Sequence, residues 1–364
     1  MGSLRRVFGP AVFLVSMVCL SACNIADRPN DQPTDSPITQ SMRRSSPRAI
    51  ADLQEAACYY KAGYALAPDD LLGLRRLVEV CAVLEEAGVE DASCQEAAER
   101  VAAGHGNRGT EGHGEGETRG SPAAVLWAGW LERTATAEPE HLVGQELDSG
   151  WTFLGYDVDE ERLIRGEPID LLLYWEGPAS AHAGSERDGW YRAGDRWVQV
   201  LEGVQNLASN GGFELGAEDG SPTGFPGDMY RADPDTRGLV ADSRAGRRTT
   251  VALLDNTAVY SRTSFASTWL PVNADRLYLQ AGWMKSVGGN GYLGRRWAGD
   301  IAEGVRPYSY VAAGVTADDW QPCAGLAQPL EGATRCQIWL LNYMAVGRVY
   351  FDDVTFVEVG RPGK

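Results

Sequence analysis

The stretch Asn206-Leu-Ala-Ser-Asn-Gly-Gly-Phe-Glu214 opens, and Val349-Tyr-Phe-Asp-Asp-Val354 closes, the segment that decides the fold of this chain. Between them lie runs rich in β-branched and aromatic residues: Thr249–Leu254, Leu277–Lys285, Ser309–Gly314, Gln337–Tyr343 and Arg348–Val359. Gly, Pro, Asn and Asp break the chain between the runs. Side chains of a strand point alternately to opposite faces, and these residue types pack well on a pleated surface. Many short strands at such spacing predict an all-β sandwich or barrel. In Gln337-Ile-Trp-Leu-Leu-Asn-Tyr343 the alternation places Gln337, Trp339, Leu341 and Tyr343 on one face and Ile338, Leu340 and Asn342 on the other. One face is then core and the other sheet surface.

The Asn-Gly-Gly-Phe-Glu start, the Phe-Asp-Asp-Val close and the turn Pro271-Val-Asn-Ala-Asp-Arg-Leu-Tyr278 before Leu277–Lys285 carry a resemblance. Together they resemble the jelly-roll carbohydrate-binding modules of families four, nine and twenty-two, which are galactose-binding-like. The resemblance implies that residues 206–360 form a jelly-roll β-sandwich that binds a polysaccharide or surface glycan without catalysis. It also implies a structural calcium where the first and last strands meet. Glu214 and Asp353, with Asp352 as alternate, occupy the matching positions. Hard cations take several oxygen ligands, so two carboxylates plus backbone carbonyls would serve. The competing reading is that these carboxylates cap turns or pair with Arg348.

A sugar offers hydroxyls for hydrogen bonds and C–H faces that stack on rings, so its site needs exposed aromatics beside polar side chains. Tyr292 and Trp297 flank Arg295 and Arg296 in Gly291-Tyr-Leu-Gly-Arg-Arg-Trp297, which reads as a polar, glycine-rich loop. Trp283, Trp320, Trp339 and Tyr343 lie in or beside expected strands, as do Tyr308 and Tyr310. For these the competing reading is core packing. Gly289-Asn-Gly-Tyr-Leu-Gly294 spells a dinucleotide motif, but Arg-Arg-Trp after it opens no amphipathic helix. No G-x-S-x-G, H-E-x-x-H or P-loop occurs, so no enzyme is expected. A degenerate glycosidase fragment that kept its binding module is an alternative.

The amino terminus reads as an address. Arg5 and Arg6 precede an apolar run from Val7 to Leu20 that is shorter than the ~20 residues a membrane span needs. Residues 1–22 are therefore read as a signal peptide. Leu20-Ser-Ala-Cys23 resembles the lipobox of bacterial lipoproteins, which implies lipid on Cys23, a membrane anchor through it, and residence at the cell envelope. With 33 basic against 50 acidic residues, a formal charge of −17 and no basic stripe, the chain offers nothing to nucleic acid.

After Cys23, residues 23–47 are polar and proline-punctuated, a tether. Residues 48–103 carry helical periodicity, with a break at Pro68-Asp-Asp70. The pattern Ala56, Tyr60, Gly63, Pro68, Leu74 and Leu77 is similar to the tetratricopeptide repeat, from which Gly63 and Val78 depart. That similarity implies a protein partner at the helices, and with it the rival reading of an envelope assembly protein. Residues 104–121 form a glycine-rich linker, where His105, Glu111, His113 and Glu115 stand on a floppy chain, and 122–141 hold a short helix. From Leu142 the period becomes two, in Trp151–Tyr156, Ile169–Trp175 and Arg196–Leu201. Leu154–Asp159 and Arg165–Trp175 are similar to a small β-sandwich module at the tails of bacterial membrane proteins of surface glycosylation. Residues 142–205 are read as such a module, leaning on the jelly roll. The expected fold is thus multidomain, a small all-α repeat-like hairpin followed by all-β modules. Cys323 and Cys336, close in sequence, are the expected disulfide, with Cys58, Cys81 and Cys94 as helix thiols.

Overall fold

The computed structural model describes residues 47–105, 121–178, 181–217, 221–226, 237–244, 247–258 and 260–363. They fall into two compact units divided between Ala137 and Glu138. The expected signal peptide, Cys23, nearly all of the tether and residues 106–120 of the linker, including Glu111, His113 and Glu115, lie outside the described residues. No described helix is long and apolar enough to cross a membrane.

The first unit holds helices α1 (Pro47–Leu66), α2 (Leu71–Glu86), α3 (Ala92–His105) and α4 (Pro122–Thr136). Helix α2 starts where the Asp70 carboxylate accepts from the Gly73 N–H, satisfying one of the first-turn donors that has no helical partner. Leu71, Leu74, Leu77, Val78, Cys81 and Leu84 then fall on its buried side. Helix α4 packs on α2. Its Trp130 indole N–H donates to the Leu71 carbonyl at 3.1 Å, and the Glu85 carboxylate accepts from the Ala123 N–H at 2.8 Å. The short helix expected after the linker is thus the fourth member of this bundle. A disulfide, Cys81–Cys94, ties α2 to α3, which corrects the reading of both as plain helix thiols.

Among the described residues the second unit holds fifteen strands. A first sheet is made of β1 (His141–Glu146), β2 (Thr152–Val158), β3 (Ile169–Glu176), β4 (Trp190–Ala193) and β5 (Arg196–Val204), with α5 (Glu160–Arg165) between β2 and β3. Its order is β1-β2-β3-β5-β4. The remaining strands are β6 (Arg237–Arg244), β7 (Arg247–Asp255), β8 (Ser261–Ala266), β9 (Leu270–Pro271), β10 (Leu277–Val287), β11 (Gly291–Gly299), β12 (Tyr308–Val315), β13 (Gln321–Ala327), β14 (Ala333–Ala345) and β15 (Arg348–Val359). They make a middle sheet, β13-β10-β15-β7-β6, and an outer sheet, β12-β11-β14-β8, with β9 paired to β14. Every pairing between these strands is antiparallel.

The middle and outer sheets close on one apolar core that includes Phe213, Phe225, Phe265, Tyr278, Phe351 and Phe356. The opening motif locks this sandwich shut. The Asn206 amide donates to the Val354 carbonyl, and its oxygen accepts from the Phe356 and Ala208 N–H groups. The Gly211 carbonyl accepts from the Val354 N–H across the same junction, where a Cβ on Gly211 would stand 1.8 Å from the Val354 oxygen. Only glycine fits there.

The expected small sandwich at residues 142–205 is instead a single sheet. Its apolar face, with Trp151, Phe153, Leu171, Leu173 and Trp175, packs on Leu277, Leu279, Leu326, Val357 and Val359 of the middle sheet. A sheet needs a second layer over its apolar face, and here the jelly roll supplies it. Cys323 and Cys336 are both buried and unbonded, which corrects the expected disulfide.

Candidate functional site

The outer sheet turns one face to the core and presents the other as a band of rings. On β14, Ile338 and Leu340 enter the core while Trp339 and Leu341 belong to a separate outward cluster with Tyr292, Tyr308 and Tyr310. Strand register explains the grouping. Gly294 on β11 lies opposite both Tyr310 and Trp339, and Tyr292 lies opposite Leu341. A Cβ at Gly294 would sit 2.5 Å from the Tyr310 Cδ1, so the missing side chain lets that ring lie against the strand. Ring centroids run Tyr343–Tyr292 at 5.6 Å, Tyr292–Tyr310 at 5.3 Å, Tyr310–Tyr308 at 6.2 Å and Tyr308–Trp339 at 6.0 Å. Such offset and edge-on pairs stiffen the band.

Arginines cover its rim. Arg262 stands 4.7 Å over Tyr343, Arg306 stands 4.2 Å over Tyr308, and Trp269 lies under Arg335 at 4.8 Å and Arg296 at 5.9 Å. Trp269 remains 37% exposed. Arg296, Arg335, Val305 and Pro307 also line an open cleft of about 380 Å³ between β11 and the loop before β12. That volume lies within the ~300–1,000 Å³ of small-molecule sites.

Of the residues expected to bind sugar, Tyr292, Arg296, Trp339 and Tyr343 share this face, where the two tyrosines are half-buried, Arg296 is exposed and Trp339, at 4% exposure, is buried. Trp297 and Arg295 do not. The segment read as a loop is strand β11, central in its sheet, and alternation sends Leu293, Arg295 and Trp297 inward. Trp297 is 3% exposed in the core. The Arg295 guanidinium donates to the Gln280 oxygen at 2.8 Å, and burial pushes its pKa down to about 10 while the Cys336 thiol opposes that shift. Trp283 and Trp320 belong with the middle sheet. Trp283 lies opposite Asp352 and Pro322, with the Arg244 guanidinium 4.7 Å over its ring and His141 edge-on at 5.9 Å. Trp320 lies 5.2 Å from the Lys285 ammonium.

The carboxylates at the joined termini are also not arranged for calcium. Asp352 and Asp353 are buried, and both accept from the Arg244 guanidinium. Glu214 is exposed and accepts from the Thr249 hydroxyl and the Thr250 N–H instead. Asp353 Oδ1 alone is left buried without a hydrogen-bond partner. One spare oxygen beside a guanidinium is far from the roughly 6–8 oxygens calcium takes. The groups present do not fit the ion. Among the described residues no cluster of three or more His, Cys, Asp or Glu could hold a metal.

Sequence reasoning missed Trp269, Arg262, Arg306 and Arg335, and named Tyr308 and Tyr310 only among the strand aromatics whose competing reading was core packing. The alternation Tyr308-Ser-Tyr310 was visible, but its neighbours across β11 are set by register alone.

No protein family matches the chain, and no curated protein does. Solved structures resemble part of it. The enzymatically active domain of bacteriophage CBA120 tailspike protein 4 is similar at 13% identity over 42% of this chain, with a TM-score of 0.33, and the chain spans 21% of that domain's length. A family 16 carbohydrate-binding module is similar at 17% identity and TM-score 0.32, covering 42% of this chain and 99% of the module. The xylan-binding CBM22-1 domain of Paenibacillus barcinonensis Xyn10C is similar at 16% identity and TM-score 0.31, covering 44% and 96%.

Proposed function

We propose that the outer sheet binds carbohydrate without catalysis, in an exported protein held to the envelope by lipid on Cys23. The observation that carries the first part is the band Tyr343–Tyr292–Tyr310–Tyr308–Trp339 on one sheet face. The half-buried tyrosine rings offer successive platforms for the C–H faces of sugar units, braced by the buried Trp339, and the arginines and Gln337 beside them supply donors and acceptors for hydroxyls. The Cys81–Cys94 disulfide supports export, since such bonds persist in oxidising compartments. The anchor is tested by palmitate incorporation into the native chain and into Cys23→Ala. Labelling of both alike would remove Cys23 from the proposal.

The binding reading is tested on a glycan array with the full-length chain and a Tyr308→Ala variant. Tyr308 is half-buried on an edge strand, so the variant should fold, as circular dichroism would verify. Loss of one stacking platform, worth about 0.5–1.5 kcal/mol beyond its buried area, should weaken binding roughly two- to tenfold. A folded native chain that binds no glycan, neutral or acidic, sinks the proposal.

A further inference from the structure

We infer that the carbohydrate recognised by the outer sheet is acidic, a polysaccharide bearing carboxylate or sulfate groups. The inference rests on the sugar-binding reading of this face and adds the ligand's charge.

The argument begins with how charge is distributed. Acidic residues outnumber basic ones 50 to 33 along the chain. Yet strands β8, β11, β12 and β14 contain no Asp or Glu, while they contain Arg262, Arg296 and Arg335, besides the inward-facing Arg295. The middle sheet of the same sandwich carries Asp242, Asp255, Asp352, Asp353 and Glu358. Carboxylates are therefore segregated away from the sheet that carries the rings.

Three of the rim arginines are also left uncommitted. Arg296, Arg306 and Arg335 are exposed, and among the described residues none of them has an ion pair. Each instead lies over a ring, Arg296 and Arg335 over Trp269 and Arg306 over Tyr308. A guanidinium stacked on an indole or phenol keeps its planar fork of N–H donors pointing sideways, and that fork matches a carboxylate or sulfate bidentately. Stacking also removes side-chain freedom before the ligand arrives. A neutral sugar could use these guanidinium groups as hydrogen-bond donors, but only an acidic one would also neutralise their charge. Glu303 is the sole carboxylate lining the adjoining cleft, against Arg296 and Arg335.

The overall charge of −17 does not defeat this arrangement. At physiological salt the Debye length is about 8 Å, so an anion docked on the band responds to the nearby arginines and little to distant carboxylates. Nucleic acid is a polyanion of a different class, and single-stranded DNA is therefore one arm of the test.

The test is affinity electrophoresis and calorimetry of the full-length chain against matched polymers. Polygalacturonate, carboxyl-reduced polygalacturonate, a sulfated galactan, xylan and single-stranded DNA are compared at 0.15 M and 0.5 M salt. The expected result is binding to polygalacturonate or the sulfated galactan, at least tenfold weaker binding to the carboxyl-reduced polymer and xylan, and weakening at the higher salt. Which acidic polymer binds tells carboxylate from sulfate. Arg296→Gln and Arg335→Gln should each weaken acidic binding roughly two- to fivefold, the scale of an exposed ion pair. Equal, salt-insensitive binding of neutral and acidic polymers would overturn the acidic ligand and leave the sugar reading standing. Binding to none of the polysaccharides would overturn both, and equal binding of DNA would make the face a general polyanion site.

Discussion

Cys81 and Cys94 stand thirteen residues apart, and so do Cys323 and Cys336, but only the first pair is bonded. A disulfide needs Cα atoms within about 7 Å. The short connection between α2 and α3 brings Cys81 and Cys94 to a Cα distance of 5.7 Å. Cys323 sits on β13 of the middle sheet and Cys336 on β14 of the outer sheet, and facing sheets stand about 10 Å apart. Both enter the core as small apolar groups, and burial pushes their thiols up to about 11 and about 12. Only the thiolate is nucleophilic, so near pH 8 neither should react in the native protein. Alkylation mapped by mass spectrometry should find exposed Cys58 modified at once and Cys323 and Cys336 modified only in denaturant. The same shifts set a pH dependence. A raised pKa means the folded form holds its proton longer than the unfolded one, so this contribution is whole below about pH 8.5, the free thiol value, and is lost as pH climbs toward the raised values. Cys336→Ala should therefore melt lower at neutral pH yet lose less between about pH 8 and 10. An equal alkaline loss in both proteins would remove the thiols from that dependence.

At the scale of elements, what was legible followed from local alternation. Gln337–Tyr343 could be divided into its two faces because a strand's period is two wherever it lies. Gly291–Trp297 could not, since its glycines and paired arginines have the composition of a loop, and only pairing with β12 and β14 makes it a central strand. Trp283 and Trp320 failed for a different reason. Trp283 lay in an expected strand and Trp320 was placed in or beside one, but the sheet a strand joins is a long-range property of topology. The close of the last strand shows the same limit. Phe351-Asp-Asp-Val354 was read for a bound cation, whereas β6 brings Arg244 to the two carboxylates. Removing one partner of a buried ion pair typically costs about 3–5 kcal/mol, because the other charge is left uncompensated in the interior. Arg244→Gln should lower the melting temperature sharply, while a chelator should leave the native protein's melting temperature where it was. A fall of several degrees on chelation would put a metal back at this junction.

Over the β unit as a whole, the three sheets share interiors that neither segment could complete alone. The middle sheet is apolar on both faces, toward the outer sheet through Phe351 and Phe356, and toward the first sheet through Leu277, Leu279, Leu326, Val357 and Val359. Burying each such aliphatic side chain is worth about 1.5–3 kcal/mol, so these five contribute roughly 8–15 kcal/mol as an upper bound. A whole domain is stable by only about 5–15 kcal/mol. The first sheet is therefore part of the sandwich's stability rather than a neighbour appended to it. A fragment from Asn206 to Lys364, which keeps the complete jelly-roll sequence, should expose that apolar face, bind a hydrophobic dye and show no cooperative melt. A fragment from Glu138 to Lys364 should melt cooperatively. If the shorter fragment instead melts within a few degrees of the longer one, the first sheet is an independent layer, and a boundary near residue 205 separates two folding units.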